Sequence, residues 1–200
     1  MNTGGASWRG KGGSPSHQPR GTSASYVHSH PKKIRGNMST QPTLALLCGL
    51  PVSHVWFGHG SALFLELGAL SRGRAHRDGS TGNSKGEVTV IADFGWRIER
   101  IRSILGGSGD SKKALLSITQ KLLGATVLSA QFVGRVPELE LQFSNGLWLV
   151  TFSHYAGQPT WAVLFGESGE ICIKGGRLKS AHAVPSNSYT HLLNSRKSFF

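Results

Sequence analysis

Between Val52 and Ile173, apolar and polar residues alternate along several stretches of this chain. Because successive side chains of a β-strand point to opposite faces, a period of two predicts strands with one buried face. Two such strands are predicted over Val52 to Phe57 and Trp161 to Phe165. Four more are predicted from alternating apolar sets: Leu63, Leu65 and Leu67; Val88, Val90, Ala92 and Phe94; Leu139, Leu141 and Phe143; and Trp148, Val150 and Phe152.

The connections between these strands carry turn and loop signals. Ser144-Asn145-Gly146 lies between two alternating runs, and Asn-Gly in that setting predicts a β-hairpin from Glu138 to Phe152. The stretch Ser71 to Gly86 is rich in Gly, Ser and Arg and lacks periodicity, so it is predicted to be a long exposed loop.

One short helix is predicted in the middle of the chain. Asp110 or Ser111 can cap its N-terminus, and Gly124 can end it. Its apolar stripe has helical spacing and consists of Leu115, Ile118 and Leu122. The preceding segment, Trp96 to Leu105, fits both a strand and a helix, and the sequence leaves that choice open.

The two halves of the chain are similar in spacing. Gly49-Leu50-Pro51-Val52 precedes the Leu63 strand, and Gly124-Ala125-Thr126-Val127 precedes the Leu139 strand at nearly the same distance. Each half continues to a third extended segment, which favours an internal repeat. The predicted fold class is therefore mainly β (α+β), with two small antiparallel β-meanders and one short helix between them.

Positive charge is concentrated at the two ends of the chain. The net charge is +12, with six basic residues and no acid before Met38, and five basic residues and no acid from Lys174 onward. This partition predicts a disordered basic segment over 1–37, a single β-rich domain over 38–178 and a flexible basic tail over 179–200. Met38 directly precedes the first apolar run, so we hypothesise that translation starts there.

Two cysteines, Cys48 and Cys172, lie near opposite ends of the predicted domain. We expect free thiols and a cytoplasmic protein, although a disulfide between the two stays an open alternative. No apolar run reaches the roughly 20 residues that a membrane-spanning helix needs, so no membrane association is expected.

Several residues were weighed as catalytic or ligand-binding candidates. The Gly-rich stretch Leu105 to Lys113 opens the helix, but it lacks the Gly-Lys-Ser/Thr tripeptide of a phosphate-binding loop. A zinc site was considered for Cys48, His54, His59 and His154, whose spacing fits no known ligand pair. We therefore predict no metal and no cofactor.

The sequence also contains no set of residues with the spacing of a known catalytic site. Hydrolysis was considered for Ser153, His154 and Asp93, and for Cys48 with His54, but no nucleophile lies in a Gly-x-Ser-x-Gly turn. Glu138 and Glu140 share one strand face, which a solvated polar face explains. No catalytic residue is predicted, and enzymatic activity is kept only as an alternative function.

Four tryptophans lie in the predicted domain: Trp56, Trp96, Trp148 and Trp161. Three of them occupy alternating positions that suit a core, and aromatic residues in strands more often pack than bind. One exposed aromatic residue would be a natural anchor for a partner protein, because interface hot spots are enriched in Trp.

A set of segments in the second half forms a recognisable pattern: Leu123 to Val127, Leu139 to Leu147, Trp161, Glu167-Ser168-Gly169-Glu170 and Gly175-Gly176. In this pattern the chain resembles a family of small bacterial proteins of unknown function. The resemblance implies two β-meanders with a Gly-rich central loop over Leu50 to Leu178. Some members of that family look like immunity proteins or neighbours of toxins.

These observations lead to one predicted function and two alternatives. We expect a non-catalytic protein-binding domain of the immunity or accessory type, acting through a rigid sheet face or the Ser71 to Gly86 loop. The first alternative is a nucleic-acid-associated protein whose basic ends neutralise phosphates. The second is a small-ligand-binding protein or an enzyme, which a deep pocket with converging polar groups would indicate.

Overall fold

The computed structural model describes residues 43–75, 77, 79–157 and 159–181. This part of the chain forms strands and one short α-helix around one apolar core. The strands are β1 Val52–Phe57, β2 Leu63–Leu67, β3 Val88–Ala92, β4 Trp96–Arg100, β5 Ser103–Gly107, β6 Val127–Val133, β7 Glu138–Phe143, β8 Trp148–Thr151, β9 Trp161–Leu164, β10 Glu170–Lys174 and β11 Arg177–Ala181. Helix α1 spans Lys112–Thr119, and three 3₁₀ helices span Leu44–Leu47, Gln120–Leu122 and Gly166–Ser168.

The described strands form two antiparallel sheets. The six-stranded sheet has the order β1-β2-β3-β9-β10-β11, and the five-stranded sheet has the order β5-β4-β8-β7-β6. Strands β1 to β3 are one meander and β6 to β8 are the other, with α1 between them in the chain. The predicted fold class is confirmed.

Each meander is extended by strands from the other half of the chain. After β3 the chain crosses to the second sheet, where β4 pairs with β8. After β8 it crosses back, and β9 pairs with β3. The local sequence pattern did not predict these exchanges, because alternation identifies a strand but not its partner.

The two halves meet at a reciprocal backbone junction. Pro51 and Thr126 form an isolated antiparallel bridge at its centre. Four hydrogen bonds surround that bridge in two matched pairs: Gly49 N to Val127 O and Gly124 N to Val52 O, both 2.9 Å, and Val52 N to Ala125 O at 2.9 Å and Val127 N to Leu50 O at 3.0 Å. The two Gly-containing segments singled out in the sequence are therefore equivalent and bind each other.

The repeat extends to side-chain contacts. The Trp96 indole donates to Ser61 O at 2.8 Å, and the equivalent Trp161 indole donates to Pro137 O at 3.1 Å. Phe57 stacks on Trp96 and Phe132 stacks on Trp161, with ring centroids 6.3 and 5.5 Å apart. The pairings β1–β2 and β6–β7 also share a register shift, which follows Val52 in one half and Val127 in the other. Together these contacts confirm the internal repeat.

The core lies between the inner faces of the two sheets. Strands β2 and β7 supply its centre with fully buried side chains: Leu63, Leu65, Leu67, Leu139, Leu141 and Phe143. Trp96 and Trp161 are also fully buried. Burial of such large apolar side chains contributes roughly 1.5–3 kcal/mol each, so they dominate the stability of the domain.

Strand β8 buries the opposite face from the one that its alternating apolar set predicts. Trp148, Val150 and Phe152 do share a face, but it is the outer face of the five-stranded sheet. The residues between them face the core instead, and these are Leu147, Leu149 and Thr151, all at most 4 % exposed. Both sets alternate and both are largely apolar, so the pattern could not decide which set faces inward.

The predicted helix and the ambiguous segment are both resolved. Ser111 is the N-cap of α1 and its hydroxyl accepts a hydrogen bond from Ala114 N at 3.4 Å. The stripe Leu115, Ile118 and Leu122 is buried, although the helix changes to 3₁₀ geometry at Gln120. Trp96 to Leu105 contains β4, a turn and the start of β5, so the strand alternative is correct.

Segments outside the predicted strands also contribute. The Ser71 to Gly86 loop is mostly exposed and doubles back on itself, with Ser71 N donating to Lys85 O at 2.7 Å and Lys85 N to Ser71 O at 3.1 Å. Strand β11 runs to Ala181, beyond the Leu178 end predicted for the domain. The predicted disordered segment 1–37, the Met38 start and residues 182–200 lie outside the described residues.

We predict that Gly49→Ala and Gly124→Ala destabilise the protein by similar amounts. Both glycines have positive φ, 88° and 77°, and open space around the position of an added Cβ. The cost therefore comes from the left-handed backbone alone and is about 1 kcal/mol for each. Gly109→Ala is the control, because its Cβ also meets open space without a left-handed φ. Urea unfolding measures the free energies, and unequal costs at Gly49 and Gly124 would contradict the equivalence.

Candidate functional surface

The residues weighed for zinc are dispersed over the described structure. His54 lies on β1, His59 lies in the turn after that strand, and His154 follows β8. Cys48 caps the first 3₁₀ helix and is exposed. Over residues 43–181, leaving out the three undescribed positions, no group of three or more His, Cys, Asp or Glu could hold a metal ion.

The residues weighed for hydrolysis take part in structural contacts. Ser153 Oγ lies 2.5 Å from Thr160 Oγ1, and Ser153 N donates to Glu138 Oε1 at 2.7 Å. The His154 imidazole packs edge-on against Tyr155, with ring centroids 5.1 Å apart. Asp93 is 2 % exposed, and its backbone amide donates to Thr160 O at 2.8 Å. These contacts tie the Ser153 hydroxyl to Thr160.

The Gly-rich segment before α1 is also engaged internally. Gly106 and Gly107 belong to β5, and Asp110 Oδ2 accepts a hydrogen bond from Gly107 N at 2.8 Å. A carboxylate thus already occupies the position beside the amide that an anion would take. The arrangement acts as a turn that leads β5 into α1.

Glu138 and Glu140 lie on the outer face of the five-stranded sheet. Glu138 Oε2 accepts from Thr151 Oγ1 at 3.0 Å, in addition to the bond from Ser153 N. Glu140 Oε1 accepts from Gln131 Nε2 at 2.7 Å. Each carboxylate thus has its own hydrogen-bond donor, and together they form part of a polar rim.

A buried carboxylate that the sequence analysis did not single out lies on the other sheet. Glu66 is 1 % exposed and accepts three hydrogen bonds: from Trp56 Nε1 at 2.9 Å, from Gly86 N at 2.9 Å and from Thr89 Oγ1 at 2.6 Å. The Trp56 ring also stacks on Phe64 with centroids 3.8 Å apart. This network fastens the end of the long loop to the outer face of the six-stranded sheet. A glutamate inside the apolar run Leu63 to Leu67 was the one available sequence signal.

A partly accessible apolar surface lies on the outer face of the five-stranded sheet. We define the outer patch as Trp148, Val150, Phe152 and Ile104. Strand pairing places Val150 beside Arg97 and Glu140, and Trp148 beside Glu99 and Gln142, while Ile104 pairs with Glu99. Trp148 is half-buried, Phe152 is 38 % exposed and Ile104 is 64 % exposed.

Charged groups surround the outer patch. The Arg97 guanidinium lies 5.5 Å from the centroid of the Phe152 ring, within cation–π range. The same guanidinium forms an ion pair with Glu99. An open groove of about 530 Å³ borders the patch, lined by Arg97, Phe152 and the chain from Ile104 to Asp110. The groove is shallow, unlike the enclosed, mostly apolar pockets that hold small ligands.

Comparisons with known proteins give no assignment. No family model matches the chain, and neither a curated protein nor a solved structure matches it. The function must therefore be inferred from the surface described above. None of the described helices has the length and apolar character needed to cross a membrane.

The two cysteines differ in environment. Both are free thiols, with Cys48 exposed and Cys172 buried. Burial raises the pKa of the Cys172 thiol, and the nearby Glu170 carboxylate raises it further. Lys174 and Lys179 oppose this shift. A raised pKa means that less thiolate is present at neutral pH, so the thiol of Cys172 is protected chemically as well as sterically.

We predict selective alkylation of Cys48 in the folded protein. Iodoacetamide reacts with the thiolate, so Cys48 should be modified at least about tenfold faster than Cys172 at neutral pH. Peptide mass spectrometry measures both rates, and unfolding in urea should make them similar. Equal rates in the folded protein would contradict the buried position of Cys172.

We also predict that Glu66→Gln lowers stability by about 1–3 kcal/mol, because the amide NH₂ replaces an acceptor and leaves either the Trp56 indole N–H or the Gly86 N–H unsatisfied. Glu87→Gln is the matched control. Glu87 accepts one hydrogen bond, from Ala69 N at 2.8 Å, at an exposed site. That substitution should cost less than about 0.5 kcal/mol. Urea unfolding at neutral pH distinguishes the two, and equal costs would show that the Glu66 network is not stabilising.

Proposed function

We propose that this protein is a non-catalytic protein-binding domain and that its partner contacts the outer patch. The observation that carries this proposal is an outward-facing apolar surface with Arg97, Glu99 and Glu140 around it. Within this surface Phe152 and Ile104 are exposed, Trp148 is half-buried and Val150 is buried. Protein interfaces commonly combine an apolar centre containing Trp or Phe with a polar rim. The outer patch has this composition.

The exposed tip of the β4–β5 hairpin extends the same surface. Ile101 is 80 % exposed, and Arg100 and Arg102 flank it in the exposed turn. Such an apolar side chain on a hairpin tip can enter a recess on a partner, while the arginines contact acidic groups around that recess. The binding surface is then continuous from the hairpin tip to Trp148.

Rigidity favours occlusion as the mode of action. Trp148 and Val150 lie on β8, the central strand of the sheet, and Phe152 directly follows that strand. Ile104 lies on the edge strand β5, which pairs with β4. A surface held by paired strands loses little conformational entropy on binding. A domain of this kind can cover a site on its partner without chemistry of its own, which is the immunity or accessory type of function.

Substitutions in the outer patch test this proposal. We predict that Ile104→Asp and Phe152→Ser abolish retention of a specific partner by the immobilised full-length protein. Loss of an interface anchor costs about 2 kcal/mol or more, which is at least a tenfold loss of affinity. Leu70→Asp is the matched control, because Leu70 is 46 % exposed and lies outside the patch, in the connection between β2 and β3.

The measurement is pull-down with nuclease treatment and quantitative mass spectrometry, followed by calorimetry with the purified partner. Circular dichroism and thermal unfolding confirm that each variant folds. Retention that both patch variants preserve would contradict the proposal. Retention that nuclease abolishes would instead support binding through nucleic acid, which should weaken steeply with salt.

A further inference from the structure

Of the four edge strands of the two sheets, β11 has the least of its open edge covered by other described elements. Strands β1 and β6 meet at the Pro51–Thr126 junction. Helix α1 packs against β5. No other strand or helix of the described chain pairs along the outer side of β11, and all five of its residues are exposed. An exposed edge strand is a template for pairing with another chain.

The turn before β11 determines which backbone groups face outward. Gly175 and Gly176 form a two-residue turn with φ of 59° and 70°, the geometry of a type I′ hairpin. In such a hairpin the flanking residues, Lys174 and Arg177, form a hydrogen-bonded pair. Non-hydrogen-bonded and hydrogen-bonded pairs then alternate along the two strands, so Leu178 and Ser180 belong to non-hydrogen-bonded pairs. The N–H and C=O groups of Leu178 and Ser180 consequently point away from β10, toward the open edge.

The side chains of this hairpin separate by charge. Lys174, Arg177 and Lys179 lie on the outer face of the sheet, where the pairing Lys179–Cys172 continues toward β9. Leu178 pairs with the buried Ile173, so it lies on the core side of the sheet, and it is 41 % exposed. A strand added at this edge would therefore lie beside Arg177 and Lys179 on one face and beside an incompletely covered leucine on the other. Lys174 and Glu170 lie on the same face as the two cations, one strand further from the edge.

We propose that β11 binds an acidic, extended segment of another protein, which adds a seventh strand to the six-stranded sheet. Main-chain hydrogen bonds to Leu178 and Ser180 provide affinity, and alternating side chains provide specificity. Acidic side chains of the segment face Lys179 and its neighbours, and an apolar side chain covers Leu178. This site lies on a different sheet from the outer patch and does not depend on the function proposed for that patch.

Charge argues against two other occupants. A second copy pairing through β11 would place Arg177 and Lys179 of both copies near each other, and like charges across strands are destabilising. The ends of this chain cannot supply the segment either, because all ten Asp and Glu residues lie between Glu66 and Glu170. The acidic strand must come from another protein.

The test uses the full-length protein and two short blocked peptides, one alternating glutamate with valine and one alternating lysine with valine. We expect the glutamate peptide to bind, with affinity that falls as salt is raised. In hydrogen exchange followed by NMR, it should slow exchange of the Leu178 and Ser180 amides selectively. Lys179→Glu should reduce its affinity at least about tenfold, whereas the lysine peptide should not bind the unchanged protein.

Proline at the outward-facing position tests the strand pairing itself. Ser180→Pro removes an outward N–H without removing a donor to β10, so it should abolish peptide binding while the thermal unfolding midpoint stays close to that of the Ser180→Ala control. Equal binding of both peptides, amide protection outside β11, or unchanged binding by Lys179→Glu would overturn the proposal. Concentration-dependent dimerisation that masks the Leu178 and Ser180 amides would overturn it in favour of a second copy.

Discussion

The rest of the fold depends on the backbone junction between Gly49–Val52 and Gly124–Val127. Its four hydrogen bonds join the first strand of one meander to the first strand of the other, and thereby link the two sheets at one edge. Both segments begin at a glycine with positive φ, which lets the chain turn from a 3₁₀ helix directly into the bridge. Because each segment donates to and accepts from the other, neither can form its hydrogen bonds without its counterpart.

This junction brings the two sheets face to face, and the exchanged strands then close the core. Trp96 and Trp161 each enter the opposite meander at the start of the crossing strand, beside Thr151 and Ala92 respectively. Each indole N–H finds a carbonyl acceptor in the loop between two strands of its own half. A buried tryptophan needs such an acceptor, so these two hydrogen bonds fix where the crossing strands enter.

The repeat is broken after the fifth strand of each half and at the connection between the second and third strands of each meander. The first half follows β5 with α1, which packs against that strand, whereas the second half follows β10 with the exposed strand β11. Similarly, the tight Ser144–Gly146 turn of one meander is replaced in the other by the long loop that the Glu66 network fastens. Three of the five cations at the C-terminal end, Lys174, Arg177 and Lys179, thus belong to a folded hairpin and share one of its faces.

The outer patch shows how far the sequence could predict the site. It indicated that an exposed aromatic residue would be an anchor without identifying which one, and Ile104 lay in a segment that fitted either a helix or a strand. Arg97 could not be placed beside Phe152, because their proximity depends on the pairing of β4 with β8. The Glu66 network could not be predicted from the sequence for a similar reason. Its donors come from the two neighbouring strands, β1 and β3, and from the end of the long loop.

By itself, the sequence determined every strand of the two meanders except β6, together with the Asn-Gly hairpin, the capped helix and the repeat. These features depend on side-chain period, turn chemistry and capping, which are encoded within a few neighbouring residues. Only the tertiary structure decided that β4 and β9 change sheets, that Trp148 faces outward while Leu149 faces the core, and that β11 is an open edge. Those outcomes depend on contacts between residues far apart in the chain, and an alternating pattern is equally compatible with either face of a strand and with any partner.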